Sequence, residues 1–298
     1  MTQVNRCIVS FAFCRPLSMA SSILSIKLNY SSNKNYRHIL VVDRARRGSE
    51  RYEANQETID LAHRFLEQGL VDELTVRDEP YGTQRNIIDG VTGAARRYDQ
   101  LFVIEDDLEL THYHRDLSAI FFEYQLSGPV VAFSTYANAI KQTQFSTFLS
   151  HRFSSQAWGI LADAWFDFDI EYIRKLPVSD ALMRDMVRFL GSDMPSLISG
   201  FKLGSIDSWA IPWNVHNYLS GKLMAYPSKS YVMERGHRSG ATRTGGVRFK
   251  SEIATEYLDI CRMRPEDDHR VLSAYVDHFS MKNRGLRQIK AKLWQACS

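Results

Sequence analysis

Three consecutive acids, Glu105-Asp106-Asp107, follow directly on the apolar run LFVI. Carboxylates crowded at a strand tip repel one another and are tolerable where a cation sits among them. Mg²⁺ and Mn²⁺ are hard ions that take carboxylate oxygens and complete their shell with water and phosphates. A metal that bridges a diphosphate also neutralises the charge growing on a departing nucleotide. The plain alternative is a solvated acidic turn ahead of a helix after Thr111. Asp43 ends the run HILVVD in the same way. Its carboxylate can accept from the imide N–H of uracil or from a ribose hydroxyl, or it is simply a turn residue.

Four further groups have the right chemistry for the same task. Arg15, ahead of Pro16, can pair with Asp43 or meet a nucleotide. Tyr81-Gly82-Thr83-Gln84-Arg85-Asn86 begins a helix whose free amides and positive end suit an anion. Gly82, Arg85 and Asn86 are the candidates there, with an ordinary helix cap as the alternative. Asp207-Ser208-Trp209 stands before a helix, near Trp213. A carboxylate in a partly desolvated aromatic setting can act as a general base; otherwise Asp207 is an N-cap. Finally, the breaker-rich stretch from Gly236 to Gly246 holds His237, Arg238, Ser239, Thr242 and Arg243 between glycines. Such a basic loop can close over a diphosphate, and His237 is a candidate to complete a metal shell.

The elements that position these groups read as an alternation. Cys7–Phe13, His38–Asp43, Glu73–Arg77 and Leu101–Ile104 are predicted strands; Leu17–Leu28, Glu57–Leu70 and Thr83–Tyr98 are predicted helices. Strand–helix repeats of this kind form right-handed parallel units, so all four carboxyl ends share one sheet edge, where ligands bind. Cys14-Arg15-Pro16, Asp43-Arg44, Asp78 to Gly82 and Glu105-Asp106-Asp107 fall on that edge. Further along, Pro129–Ser134, Leu223–Tyr226 and Ser230–Met233 read as strands, and Ala157–Ala162 as a strand or buried turn. Phe145–Phe153 is polar and aromatic. Ser179–Leu190 and Ala210–Ser220 read as helices, Gly191 to Ser208 as loop, and Ser251–Cys261 and Pro265–Phe279 as closing helices.

The bulk numbers fit one α/β enzyme. The chain has 298 residues, 44% hydrophobic and 24% charged, with a formal net charge of +3. That balance gives no sign of a nucleic-acid partner. The four cysteines, Cys7, Cys14, Cys261 and Cys297, lack paired or zinc-finger spacing and read as free thiols in a reducing compartment. No window has the length of an apolar membrane span, and the N-terminus lacks signal-peptide character, so the expected location is cytoplasmic. The basic tail MKNRGLRQIKAKLWQACS can lie peripherally on the inner membrane face; a packed terminal helix is the plain alternative. With no linker or repeat, residues 1–298 read as one domain: a nucleotide-binding half over about 1–110, an acceptor half over about 111–250, and a helical tail over about 251–298.

Taken in order, FAFCRP, VVD, YGTQRNIIDGV, FVIEDDLELT, SSQAWGILADAWFDF, IDSWAIPW, GKLMAYPSKSYV and ERGHRSGAT resemble the bacterial sugar transferases related to the N-acetylglucosaminyltransferase I family. The resemblance runs from about Ile8 to about Gly246. It implies a GT-A fold, Rossmann-like, with a mostly parallel central sheet and helices on both faces. It also implies a nucleotide-diphosphate-sugar donor (UDP favoured), Mn²⁺ or Mg²⁺, inversion at the anomeric carbon, and a glycan or glycolipid acceptor in bacterial surface polysaccharide synthesis. By the same resemblance Asp107 is the metal ligand, with Glu105 and Asp106 near the donor's ribose and sugar. Asp43, supported by Arg15, meets the base, Asp207 deprotonates the acceptor, Trp158 shapes the sugar pocket, and the loop from Gly236 to Thr242 closes on the donor.

The chain departs from the pattern around that loop. Relatives tend to read Asn-Ile-Gly before it and Thr-His at its end; here Glu234-Arg235-Gly236 and Thr242-Arg243 stand there. Arg243 in place of the histidine favours phosphate over metal. The segment VVDRARRGSERY is also unusually basic, which fits a different base or an extra phosphate contact. Two other classes share part of the signature: a sugar nucleotidyltransferase, which usually carries a Gly-rich basic loop after its first strand, and a non-catalytic nucleotide-sugar-binding module.

Overall fold

The computed structural model describes residues 4–30, 36–126, 128–137, 147–235, 251–256, 275, 276 and 279. The opening alternation forms as the apolar periodicity predicts. Strand β1 (Arg6–Ala12) leads to helix α1 (Pro16–Tyr30), β2 (Tyr36–Val42) to α2 (Tyr52–Glu67), and β3 (Glu73–Val76) to α3 (Gly82–Ala95); β4 (Gln100–Glu105) then runs into the acids. All four strands are parallel. Their order, β3-β2-β1-β4, means the chain works outward from β1 and then returns to its other side. Such a reversal leaves a crevice at the carboxyl ends of β1 and β4.

Side chains alternate across β1, and both faces are covered. Ile8 and Ala12 pack with Met19, Ile23 and Ile26 of α1 and with Ile59, Ala62 and Phe65 of α2. Cys7, Val9 and Phe11 pack on the other face with Ile87, Val91 and Ala94 of α3. Gly90 allows α3 this close approach, since a Cβ there would lie 2.6 Å from a ring carbon of Phe11.

The remaining elements are β5 (Leu108–Leu110), α4 (His114–Ile120) with a π-helical turn at Phe121–Gln125, β6 (Val130–Ser134), β7 (Thr147–Ser150), β8 (Trp158–Leu161), α5 (Ala162–Phe166), α6 (Ile170–Lys175), α7 (Asp180–Leu190), α8 (Met194–Lys202), α9 (Ala210–Leu219), β9 (Leu223–Pro227) and β10 (Val232–Glu234). The sheet extends past β4 as β8-β6-β9-β7, eight strands in all. Of these, β8 and β7 run antiparallel to their neighbours. A separate antiparallel pair, β5 and β10, sets Leu108 opposite Glu234. The expected α/β architecture, mostly parallel with helices on both faces, is therefore present.

Two expectations are corrected, and one stretch left without an assignment proves to hold a strand. The stretch from Gly191 to Ser208 is not all loop: Met194, Ile198 and Phe201 form a buried stripe on α8, facing Met186 and Leu190 of α7 and Ile211 and Val215 of α9. Its glycines and serines hid a helical period that tertiary burial rewards. Within Phe145–Phe153, Thr147–Ser150 pairs with β9, with Phe148 opposite Tyr226. The segment 251–256 is not helical; Ile253 bridges to Ser230 in parallel. Tyr275, in the predicted Pro265–Phe279 helix, is buried against Phe148 and Tyr226. The basic tail lies outside the described residues. Among the described residues no helix is long and apolar enough to cross a membrane.

The core contains two neutral histidines. His38 on β2 bonds to Ser10 at 2.5 Å, and His114 lies between the Tyr30 hydroxyl and Thr135 Oγ1, each at 3.0 Å. Burial holds His38 down to about 4 and His114 to about 3. Groups depressed in the fold stabilise it above their unfolded value of about 6.5 and lose that contribution as pH falls towards the folded value. His114→Gln should therefore lose less stability than the wild type between pH 7 and pH 4, read from urea midpoints; an unchanged slope would mean that His114 does not contribute this way.

Candidate functional site

At the β1/β4 crevice the acids meet Arg15. Its guanidinium pairs with Asp106 at very short range and with Asp107 Oδ2 at 2.8 Å. Asp106 is buried, and its other oxygen accepts the Phe13 N–H at 3.2 Å. Burial pushes the Asp106 carboxyl up to about 6, against the pull of Arg15, and neighbouring Asp107 adds to the rise. Burial alone would lower the Arg15 guanidinium, but the two carboxylates more than reverse that and raise it. The cation required by this crowded strand tip is thus in part supplied by the chain. Arg15 pairs here and not with Asp43, one of the two partners that the sequence offered.

Asp107 is the more open acid, with 23% of its side chain exposed. Its second carboxylate oxygen has no partner among the described residues, and no group of three or more metal-ligating side chains occurs among them. This donor set fits a hard cation held by one protein oxygen and completed by phosphate and water, not a closed protein cage. Glu105 ends β4 beside Phe11 and is partly buried.

The start of α3 is the second focus. Asp43 is buried and accepts the N–H groups of Arg44 and Tyr81 on Oδ1, at 2.8 and 2.9 Å, and that of Gly82 on Oδ2 at 3.0 Å. Asp207 arrives from the far half of the chain and accepts Thr83 N–H on Oδ2 at 2.9 Å and Gln84 N–H on Oδ1 at 3.2 Å. Two carboxylates thus take the first four amides of the helix, the groups that no intrahelical carbonyl can satisfy. Gly82 is required there: its φ is +76°, and a Cβ would come within 2.9 Å of Asp207 Oδ2. The predicted anion site at this helix start is occupied by the chain's own acids.

Other predicted residues sit elsewhere. Asn86 is buried and accepts Arg77 Nε at 2.8 Å, so it faces inward. Arg85 is exposed, pairs with Glu79 at 2.8 Å, and lies 3.6 Å over the Tyr81 ring; Arg77 also lies against that ring at 4.6 Å. Asp207 is exposed, not in a desolvated aromatic setting, because Trp209 and Trp213 turn into the core. Trp158 is buried as well, stacked 5.1 Å from Trp209 and packed against Trp165 and Trp213 in the core. His237, Arg238, Ser239 and Arg243 lie outside the described residues. The root of their loop does not: Arg235 N–H donates to Asp107 O at 2.7 Å, and its guanidinium pairs with Glu109. Pairing of β10 with β5 therefore starts the loop beside the acids.

Sequence reasoning missed Asn55. It is wholly buried on α2, donates to Phe13 O at 2.6 Å and Asp43 O at 2.8 Å, and accepts Ala45 N–H at 2.9 Å. It ties the loop after β1 to the loop after β2. Little in the sequence signals it, since the predicted helix begins at Glu57 and only the structure starts α2 at Tyr52.

Removing one member of a buried ion pair strands the other. With Arg15 at 12% side-chain exposure and Asp106 at 2%, Arg15→Met should cost about 3–5 kcal/mol. Adding Asp106→Asn should recover much of that loss in a double-mutant cycle followed by urea denaturation. Additive losses would show that the two charges do not depend on each other.

No protein-family model matches the sequence, and a search of curated proteins finds no match. The motif resemblance to the N-acetylglucosaminyltransferase I family thus has no family model behind it. Among solved structures, S. aureus TarS matches with TM-score 0.47 and 8% identity, covering 77% of this chain and 36% of that one. Residues 1–349 of S. aureus TarS in complex with UDP-GlcNAc match with TM-score 0.43 and 9% identity, covering 77% and 58%. The mannosyltransferase PcManGT from Pyrobaculum calidifontis, in complex with GDP-Man and Mn²⁺, matches with TM-score 0.42 and 11% identity, covering 74% and 75%. The chain therefore spans 36% of the first TarS chain and under two thirds of the shorter one.

Proposed function

We propose that the chain is a GT-A glycosyltransferase that moves a sugar, with inversion, from a nucleotide diphosphate to a hydroxyl of a glycan or glycolipid acceptor. The observation that carries this reading is the convergence, on one sheet edge, of Arg15, Asp43, the Glu105-Asp106-Asp107 cluster and the distant Asp207. The motif series in the sequence supports it independently.

Each residue's role follows from what its atoms have left to give. Asp107 keeps one open oxygen, where Mn²⁺ or Mg²⁺ would be held; when bound, the ion neutralises charge on the departing diphosphate. Arg15 keeps Asp106 ionised and Asp107 oriented. Asp43, with three of roughly four acceptor sites filled, has one left for a base or ribose donor. Asp207 has one amide on each oxygen, so each retains a lone pair for the acceptor hydroxyl. As the acceptor oxygen bonds to the anomeric carbon, its proton passes to Asp207. The bond from that carbon to the phosphate oxygen breaks, and its electron pair leaves with the nucleotide diphosphate. A single in-line displacement inverts the anomeric centre. The loop that starts at Arg235 would then cover the diphosphate and exclude water.

A thermal-shift panel of UDP, GDP, CDP and TDP, each with and without Mn²⁺, tests the donor. One of them, with UDP favoured, should raise Tm by several degrees in a metal-dependent way. Asp107→Ala should abolish the metal-dependent part; no shift with any diphosphonucleotide would overturn the reading. For Asp207 the readout is transfer against binding: Asp207→Asn should abolish sugar transfer while nucleotide binding survives, whereas equal loss of both would make it a structural cap only.

A further inference from the structure

The loop between β2 and α2 carries charge that the donor site does not use. Its root is rigid: Asn55 fixes Asp43 and Ala45, and Arg44 Nε donates to Arg77 O at 2.7 Å. Beyond the root the chain makes a tight turn, with Ser49 N–H on Arg46 O at 3.1 Å and Gly48 at φ +76°, then enters α2 through Tyr52 N–H on Ser49 O. Arg46, Arg47 and Arg51 project from this turn, exposed and without a carboxylate partner among the described residues. Arg15, Arg77 and Arg85 nearby are all paired with acids. From Arg44 to Arg51 four arginines face one acid, Glu50, so this short segment carries as much net positive charge as the whole chain, +3. No side chain caps α2, and Glu53 in its first turn offsets part of its positive end.

Placement says which substrate meets this charge. Asn55, in the first turn of α2, donates to both Phe13 O, just after β1, and Asp43 O, which sets the base of the turn beside the loop that carries Arg15. The turn therefore borders the crevice, but it stands on β2, beyond Asp43, and not between β1 and β4 where the acids lie. Asp43, from which the turn springs, and Asp207 take consecutive amides of a single helical turn. Like charges held together on a pinned turn repel, and a multivalent anion relieves that repulsion. Guanidinium forks match phosphate oxygens in particular.

We propose that the turn bearing Arg46, Arg47 and Arg51 is a second anion subsite, separate from the donor diphosphate, that holds a phosphate group of the acceptor. The acceptor is accordingly a phosphorylated or phosphate-linked glycan. Assigning the phosphate to an acceptor rests on the transferase reading; the subsite itself does not.

The test uses the full chain and three proteins: wild type, an Arg46→Gln, Arg47→Gln, Arg51→Gln variant, and a charge-matched control, Arg96→Gln, Arg184→Gln, Arg188→Gln, altered at exposed positions away from the turn. Each is titrated with inorganic tripolyphosphate, with UDP, and with phosphatidylcholine vesicles with or without phosphatidic acid. The turn variant should lose tripolyphosphate affinity at least tenfold, the control less than twofold, and UDP affinity should hold within twofold in both. Turn-dependent binding to the acidic vesicles alone would also support the subsite and make a lipid headgroup the phosphate's source. Equal losses in turn variant and control would reduce the effect to general charge attraction and overturn the proposal. So would unchanged anion binding in the turn variant, or a parallel tenfold loss of UDP affinity, which would place these arginines in the donor site. If no protein binds UDP while tripolyphosphate still depends on the turn, the donor reading fails and the subsite stands.

Discussion

A carboxylate buried at the end of a central strand has to be compensated, and in this molecule the compensation organises the site. Asp106 lies deep enough that burial dominates its ionisation. It is held charged by Arg15, which stands one residue ahead of the first helix, and by the Phe13 amide. Those contacts fasten the tip of β4 to the loop leaving β1. Asp107, sharing the same guanidinium, is thereby aimed outward with one oxygen to spare. The pair is weak evidence for stability, because desolvation offsets its attraction, but it fixes geometry at the one place where the parallel sheet reverses direction.

The start of α3 applies the same logic with amides in place of a guanidinium. Four helical N–H groups need acceptors, and Asp43 and Asp207 supply them from opposite halves of the sequence. A helix terminus that would otherwise bind an anion here joins the two halves. A carboxylate that caps a helix retains lone pairs, so capping and accepting a proton are compatible in Asp207 so long as it stays exposed. Its neighbours Trp209 and Trp213 contribute by filling the core behind it, with Trp158 and Trp165, and so keep the segment before α9 in register with α3.

Much of this was legible in the residues, and the failures have specific causes. The strand–helix alternation and the shared carboxyl edge follow from apolar periodicity and the handedness of crossovers, and both hold. The core packing of Trp158 was not legible, because an aromatic beside a Gly reads alike in a pocket wall and in a core. The inward direction of Asn86 was not legible, because the start of α3 has an inward face that sequence position does not reveal. The helix α8 was hidden by Gly and Ser, whose weak propensity is overridden once Met194, Ile198 and Phe201 are buried together.

By itself the sequence determined which chemistry was on offer: acids at strand tips, an arginine after the first strand, a basic segment after Asp43, and an aspartate before α9. These depend on local order, which covalent sequence carries directly. Only the tertiary structure decided how the charges are shared. Arg15 belongs to Asp106 and Asp107 and not to Asp43; Asp43 and Asp207 divide one helix end; Arg46, Arg47 and Arg51 are left exposed without an acid partner among the described residues. The physical reason is that an ion pair or a cap is set by distances of a few ångströms between segments far apart in the chain, and those distances exist only after the sheet has closed.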